Sequence, residues 1–337
     1  MKAGVVGASG YAGVEVLRLC AAHPDLDVAV ATAGTNAGQP VAAHTPSLAA
    51  AYPSLVLGHT DADALDGLDV VFLALPHGES QKLVPSLIGR VGAVVDLAAD
   101  FRLKDPSLYP AWYGEPHAAP ELLDRFVYGL PELFRAEMAG ATLVAAPGCY
   151  PTAAALALAP LVRAGAVETT GIVVDAASGV SGAGRAPSDR LHFGAVDEDF
   201  TAYGLLSHRH TPEMEQAVGA QLLFTPHLAP MVRGILATCY ARPTGTATTD
   251  DLLAVLRDAY GGEPFVVVTD GSPSTKATAG SNCAHLTVRV DPRTGWVVAL
   301  SALDNLVKGA AGQAVQCANV VLGLPETTGL PLVGLYP

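Results

Sequence analysis

The chain has 337 residues, half of them hydrophobic and only 15% charged, which is enough to build one large core or two moderate ones. A formal net charge of −13 disfavours nucleic acid as a partner. The 35 glycines and 25 prolines are scattered, which suits tight turns rather than disorder, and no apolar run is long and uncharged enough to span a bilayer.

A strand-like start at Lys2–Val6 leaves no room for a signal peptide, so a cytoplasmic location is expected. Ala3–Gly7, Val28–Thr32, Val70–Leu75 and Ala93–Leu97 read as strands, and Gly13–His23 and Ser80–Gly89 as helices. Such alternation implies a parallel sheet with helical crossovers. The connection Ala33–Asp69 is irregular, with one short strand expected at Leu55–Leu57.

Gly7, Gly10 and Gly13 close the first strand and open the first helix, where a dinucleotide pyrophosphate meets free backbone amides. Ser9 and Tyr11 share that loop. The spacing departs from GxGxxG, so its place in the first strand-to-helix turn carries the signal. The second strand ends near Thr32 without the acidic residue that binds an NAD ribose. Thr32, Thr35 and Asn36 are small and polar, which favours NADP, although this loop has no Arg or Lys to clamp a 2′-phosphate.

Pro76 and His77 follow the third strand, at the end of the sheet where ligands bind. They read as a loop beside the cofactor, with a plain turn and a catalytic His77 both open. Arg102, after the next strand, suits a phosphate or carboxylate, or else simply pairs with Asp100.

The apolar run Ala141–Ala146 then leads through Pro147 and Gly148 to Cys149, ahead of a helix expected over Thr152–Arg163. A cysteine at that junction lies near unsatisfied amides and the positive end of a helix dipole. Both favour a thiolate, so Cys149 is the candidate nucleophile. Cys20, Cys239, Cys283 and Cys317 read as small buried hydrophobes, without CxxC spacing.

Beyond Cys149, strands are expected at Gly171–Ala176, Ile235–Ala241, Phe265–Val268, Ala284–Val290 and Val297–Ala302, with a helix at Thr249–Tyr260. That texture predicts a second α+β domain with a mainly antiparallel sheet, apolar enough to suggest self-association. The Gly/Ser-rich loop Ser178–Arg185 offers amides to an anion. His208 and His210 flank Arg209 before a Pro-initiated helix, and suit acid–base work near neutrality. As a metal site the pair lacks an obvious third ligand, so no metal is expected. Asp304 and Asn305 read as a cap on a final helical segment, Asn305–Gly323. The expected division is residues 1–148, completed by 305–337, and residues 149–304.

Taken in order, GASGYAG, ALPHG, ADFR, YGLPE, PGCYPT, SGVSGAGR, HRHTPE, RGILAT and DNLVKG resemble the N-acetyl-γ-glutamyl-phosphate reductases over essentially the whole chain. These are NADP-dependent acyl-phosphate reductases of arginine biosynthesis, grouped with aspartate-semialdehyde dehydrogenase. The resemblance implies an N-terminal Rossmann-like NADP domain, a catalytic and dimerisation domain, and a homodimer or homotetramer. It implies Cys149 as nucleophile, His208 as its acid/base partner and His210 as a group orienting substrate. Gly7, Gly10 and Gly13 would hold the pyrophosphate, and Ser181, Gly182, Ala183 and Asn305 would approach the cofactor. Arg102, Arg185 and Lys308 would bind the acyl phosphate. Ala98-Ala99 stands where the family pattern has Ser-Ala, which removes a hydroxyl near the phosphate. The competing readings are a lysine-pathway relative acting on a protein-carried α-aminoadipyl phosphate, aspartate-semialdehyde dehydrogenase itself, and a non-catalytic NADP-binding redox sensor. PGCYPT and SGAGR favour the arginine branch.

Overall fold

A computed structural model describes residues 1–336. Short valine-rich strands alternating with helices build the first sheet: β1 (Lys2–Val6), α1 (Tyr11–Ala21), β2 (Asp27–Thr32), β3 (Val70–Leu73), α2 (Ser80–Leu87), β4 (Ala93–Asp96), β5 (Val127–Tyr128), α3 (Pro131–Met138) and β6 (Leu143–Ala145). The strand order is β2-β1-β3-β4-β6-β5, and every pairing is parallel. Every residue of β3 and β4 is buried, as a parallel sheet covered on both faces requires. Val71, Leu73 and Val94 share one core with Phe101 and Phe126, whose rings stack 4.0 Å apart.

The strand expected at Leu55–Leu57 does not form. Val56 makes only an isolated bridge to Pro40, and the chain there is a loop edging β2. With one bridge on either side there is no ladder to extend.

The second sheet is built from β7 (Ile172–Gly179), β8 (Thr201–Ala202), β9 (Leu222–Ala229), β10 (Ile235–Ala241), β11 (Val266–Val268), β12 (Ala284–Val290) and β13 (Val297–Leu303). Its order is β11-β12-β13-β10-β7-β9-β8. It is mixed: β7–β9 and β11–β12 run parallel, and the other pairings are antiparallel. β9 escapes a reading of the sequence because Pro226 stands in its middle, where a strand normally needs its amide. The three longest helices beside this sheet are α4 (Cys149–Arg163), α5 (His210–Val218) and α6 (Thr249–Tyr260). The alanines of α4 let it lie close on β10, β12 and β13, and α5 and α6 pack beside it. Side chains of β7 and β10 alternate between buried and half-buried, so the helices cover one face only.

After β13 the backbone makes a π turn at Val307–Ala311 before α7 (Gly312–Val321). The regular helix therefore starts later than Asn305. By compactness the chain divides into Met1–Pro147 with Ala310–Leu330, and Gly148–Gly309 with the tail from Pro331. Among the described residues, no helix is long and apolar enough to cross a membrane.

Candidate active site

In the first unit, the turn from β1 to α1 is shaped by its glycines. Gly7 has φ +82°, and a Cβ on it would lie 2.2 Å from the Ala74 carbonyl oxygen; one on Gly13 would lie 2.3 Å from the Gly7 carbonyl oxygen. The amides of Gly7 and Ala8 donate to the Thr32 carbonyl, and Gly10 caps α1 without any side chain of its own. The result is a bare helix N-terminus, which fits the pyrophosphate of a dinucleotide. Ser9 stays in this loop, where His44 lies 3.2 Å from its carbonyl, while Tyr11 is the first residue of α1. Thr32 departs from expectation: it is fully buried, and its hydroxyl pairs with that of Thr60 at 3.0 Å, so it fixes the end of β2. Thr35 is exposed in the following loop. Replacing Gly7 by alanine forces a left-handed conformation costing about 1–2 kcal/mol before any clash is counted. Fluorescence titration should show NADPH affinity falling by about tenfold or more in Gly7→Ala.

At the carboxyl ends of β3 and β4, Pro76 and His77 do form a loop, and His77 Nδ1 lies 2.6 Å from Asp100 Oδ1. Asp100 also accepts the amides of Gly78 and Gln81. Burial works against its charge, but the His77 and amide contacts outweigh it and hold Asp100 below the usual carboxylate range. Asp96, at the end of β4, goes the other way: complete burial, then the nearby Asp100 charge, push it up to about 7. Arg102 is 6% exposed and donates Nε to the Ala146 carbonyl at 2.9 Å and a terminal nitrogen to the Leu97 carbonyl at 2.7 Å. It clasps the segments leaving β4 and β6, a structural job that sequence did not reveal.

In the second unit, α4 starts at Cys149 itself rather than at Thr152. Gly148 is the N-cap in extended conformation, and Pro151 sits in the first turn, where a missing amide costs nothing. Cys149 lines a cavity of about 830 Å³ together with His208 and His210. Gly182 and Ala183 of the glycine-rich loop line the same cavity. His208 Nδ1 accepts the amide of His210 at 3.1 Å, which leaves the proton of the neutral ring on Nε2. Burial, with Arg209 adding to it, lowers the pKa of His208 to about 4. The ring of Tyr150 meets His208 and His210 edge-on, with centroids 5.7 and 6.0 Å apart.

Asn305 is not a helix cap. Its Oδ1 accepts the Gly234 amide and its Nδ2 donates to Ser181 Oγ, tying the glycine-rich loop to the start of β10. Asp304 caps instead, accepting the amides of Leu306 and Val307. Lys308 is fully buried, with Nζ 5.5 Å from the centre of the Phe265 ring, and does not line the Cys149 cavity. Arg185 is exposed in its loop and does not line it either.

The model for the semialdehyde dehydrogenase NAD-binding domain matches residues 2–141, and that for the semialdehyde dehydrogenase dimerisation domain matches residues 149–305. The N-acetyl-γ-glutamyl-phosphate reductase of Symbiobacterium thermophilum is 50% identical, covering 100% of this chain and 99% of that protein. The reductase of Desulforudis audaxviator is 49% identical over 100% of both. The chain belongs to the N-acetyl-γ-glutamyl-phosphate reductase family. Among solved structures, this reductase-family chain shares its fold with aspartate semialdehyde dehydrogenase II of Vibrio cholerae complexed with ASA. The TM-score is 0.72 at 15% identity, over 96% of this chain and 98% of that one. The enzyme of Candida albicans, solved with NADP, gives a TM-score of 0.67 at 15% identity over the same shares.

Arg190 lines the cavity and went unread in the sequence, while Arg209, noticed there only as the residue between the two histidines, lines it too and brings positive charge. Glu213 is fully buried and accepts the Gly148 amide at 2.8 Å. Both Arg209 and Glu213 carried a signal as members of HRHTPE; Arg190 carried none.

Proposed function

We propose that the chain reduces N-acetyl-γ-glutamyl phosphate to N-acetylglutamate γ-semialdehyde and phosphate, using NADPH, in arginine biosynthesis. The observation that carries this reading is Cys149 at the first residue of α4, in one cavity with His208. The first unit is the NADP domain, with Gly7, Gly10 and Gly13 at the pyrophosphate; the second is the catalytic one. When bound there, NADPH supplies the hydride that reduces an acyl group to an aldehyde.

The chain's own residues do the rest. The Cys149 thiolate adds to the γ-carbonyl carbon, forming a C–S bond and a tetrahedral oxyanion. Amides at the start of α4 and the Nε2 proton of His208 are donors for that oxygen. The oxyanion collapses, the carbon–phosphate oxygen bond breaks, phosphate leaves with the electron pair, and a thioester on Cys149 remains. When the aldehyde is released, the C–S bond breaks and Cys149 departs as thiolate, ready for another turnover. His210 orients substrate, and Arg190 and Arg209 offer positive charge to its anionic groups. Arg102 keeps its phosphate-binding assignment and Arg185 its substrate-binding one by family position; Lys308, buried and outside the cavity, packs against Phe265.

The test is the reverse reaction with phosphate: oxidation of N-acetylglutamate semialdehyde against aspartate semialdehyde, each with NADP⁺ and NAD⁺. Turnover confined to aspartate semialdehyde would overturn the assignment.

The chain's dimerisation domain supports a homodimer or homotetramer. On the face of β7, β10 and β13 away from α4, Tyr240 is half-buried and flanked by Val173 and Val298, with Leu236 and Leu300 on the same face beside Thr238 and Asp175. A charge there faces desolvation on association. In size-exclusion light scattering, Tyr240→Glu should shift the protein toward the monomer; an unchanged mass would place the interface elsewhere.

A further inference from the structure

The start of α4 is capped from another helix. Gly148 has no side chain to satisfy the amides of the first turn, and the carboxylate that accepts its N–H belongs to Glu213 in the first turn of α5. Glu213 is 0% exposed. A carboxylate buried there sits at the positive ends of two helices at once: its own α5 and the capped α4. One helix carries Cys149. The other begins at His210, whose amide in turn holds His208 Nδ1. The two helices pack along each other.

We propose that Glu213 is a positioning residue, which fixes the start of α4 against the start of α5 and so sets Cys149 relative to His208. This rests on the reading of Cys149 as nucleophile and His208 as its partner. What matters is the acceptor at Oε1, and not the charge. The Gly148 amide is committed to Glu213, and the Thr152 amide goes to the Gly148 carbonyl, so the first turn is fixed at both ends. Cys149 is crowded by a second close approach as well. A Cβ placed on Gly309 would fall 2.7 Å from the Cβ of Cys149, so the π turn presses its backbone against the nucleophile. With Gly309 against it and Gly148 tethered, a small shift of α5 transmits to the thiol.

The experiment compares Glu213→Gln, which keeps the acceptor, with Glu213→Ala, which removes it. Steady-state kinetics with N-acetylglutamate semialdehyde are measured beside the pH dependence of Cys149 alkylation by iodoacetamide. Glu213→Gln should keep kcat within about threefold of the native value, because the acceptor remains. Glu213→Ala should lose about 100-fold in kcat with KM changed little, the size of effect a misplacement of about 1 Å produces. Its alkylation midpoint should move as well. Native kcat and a native alkylation profile in Glu213→Ala overturn the proposal, and so does an equal loss in both variants. If Glu213→Ala does not fold, Glu213→Gln decides: native kcat upholds the acceptor role, and a folded but slow enzyme overturns it. Cys149→Ser, run in parallel, separates the two levels. If it remains active, the nucleophile reading fails; if it is inactive while Glu213→Ala is native, only the role of Glu213 fails.

Discussion

Cys149→Ser should lower turnover by about 1,000-fold or more, with the fold intact. A serine hydroxyl at the same place is a far weaker acid than a thiol, and a helix N-terminus does not close that gap at neutral pH. The same reasoning predicts where iodoacetamide goes. Burial pushes the thiols of Cys20 and Cys239 up to about 12, and that of Cys283 upward as well. Cys317 is buried, with its Sγ against the Gly129 carbonyl at 3.1 Å. Raised thiols stay protonated as pH rises through the neutral range, whereas Cys149 opens onto the cavity. One label per chain near pH 7.5 is expected, mapping to Cys149, with loss of activity tracking its incorporation. A serine variant with native turnover, or label spread over several cysteines, would remove the thioester from the pathway.

The parts of the fold that were legible are those whose pattern is local. The strand-helix alternation of the first unit writes its parallel sheet directly, because each strand must be apolar along its whole length to be covered on both faces. β9 and the non-strand at Leu55–Leu57 were illegible for opposite reasons. Pro226 breaks the usual rule inside a real strand, while the segment around the apolar triplet Leu55–Leu57 meets the chain on either side through single bridges only, too few to make a ladder.

At the site, residue type exposed the chemistry but not the geometry. Cys149 could be picked out by its place at a helix start, whereas His208 was separated from His210 only by the family resemblance. Thr32 and Lys308 look like ligand-binding groups in one dimension. In three dimensions the Thr32 hydroxyl pairs with that of Thr60, and Lys308 is enclosed beside Phe265, while Arg102, kept for phosphate by family position, also spends donors on two carbonyls. What separates a buried donor from one facing a cavity is its tertiary partner, and that lies far off in the chain. Glu213 shows the converse: it reads as an ordinary acid in a helix's first turn until Gly148, 65 residues away, arrives beside it.

The second large effect belongs to His208. His208→Asn should reduce kcat by about 100-fold or more, in the range a positioned proton donor contributes, with a smaller change in KM. The pH profile makes the assignment specific. With its pKa lowered to about 4 by burial, and further by Arg209, the ring is neutral at pH 7 with its proton on Nε2. Taking a second proton means protonating Nδ1, which must first give up the His210 amide. The neutral ring, held at Nδ1 by the His210 amide, is therefore present above about pH 4; as pH falls through that value the ring keeps its Nε2 proton but loses that hold and its orientation, whereas a solvent-exposed histidine titrates near about 6.5. In kcat/KM, which reports the free enzyme, the His208 limb should lie near pH 4 and be absent from His208→Asn. Arg209→Gln should move that limb upward, because a positive neighbour no longer opposes protonation. His210→Asn keeps the backbone amide that holds His208 Nδ1, so the limb should survive in it. A limb near pH 6.5 that disappears in His210→Asn and persists in His208→Asn would exchange the two histidines' roles. It would also break the argument from Nδ1, since His210 would then be the ring whose protonation gates the chemistry.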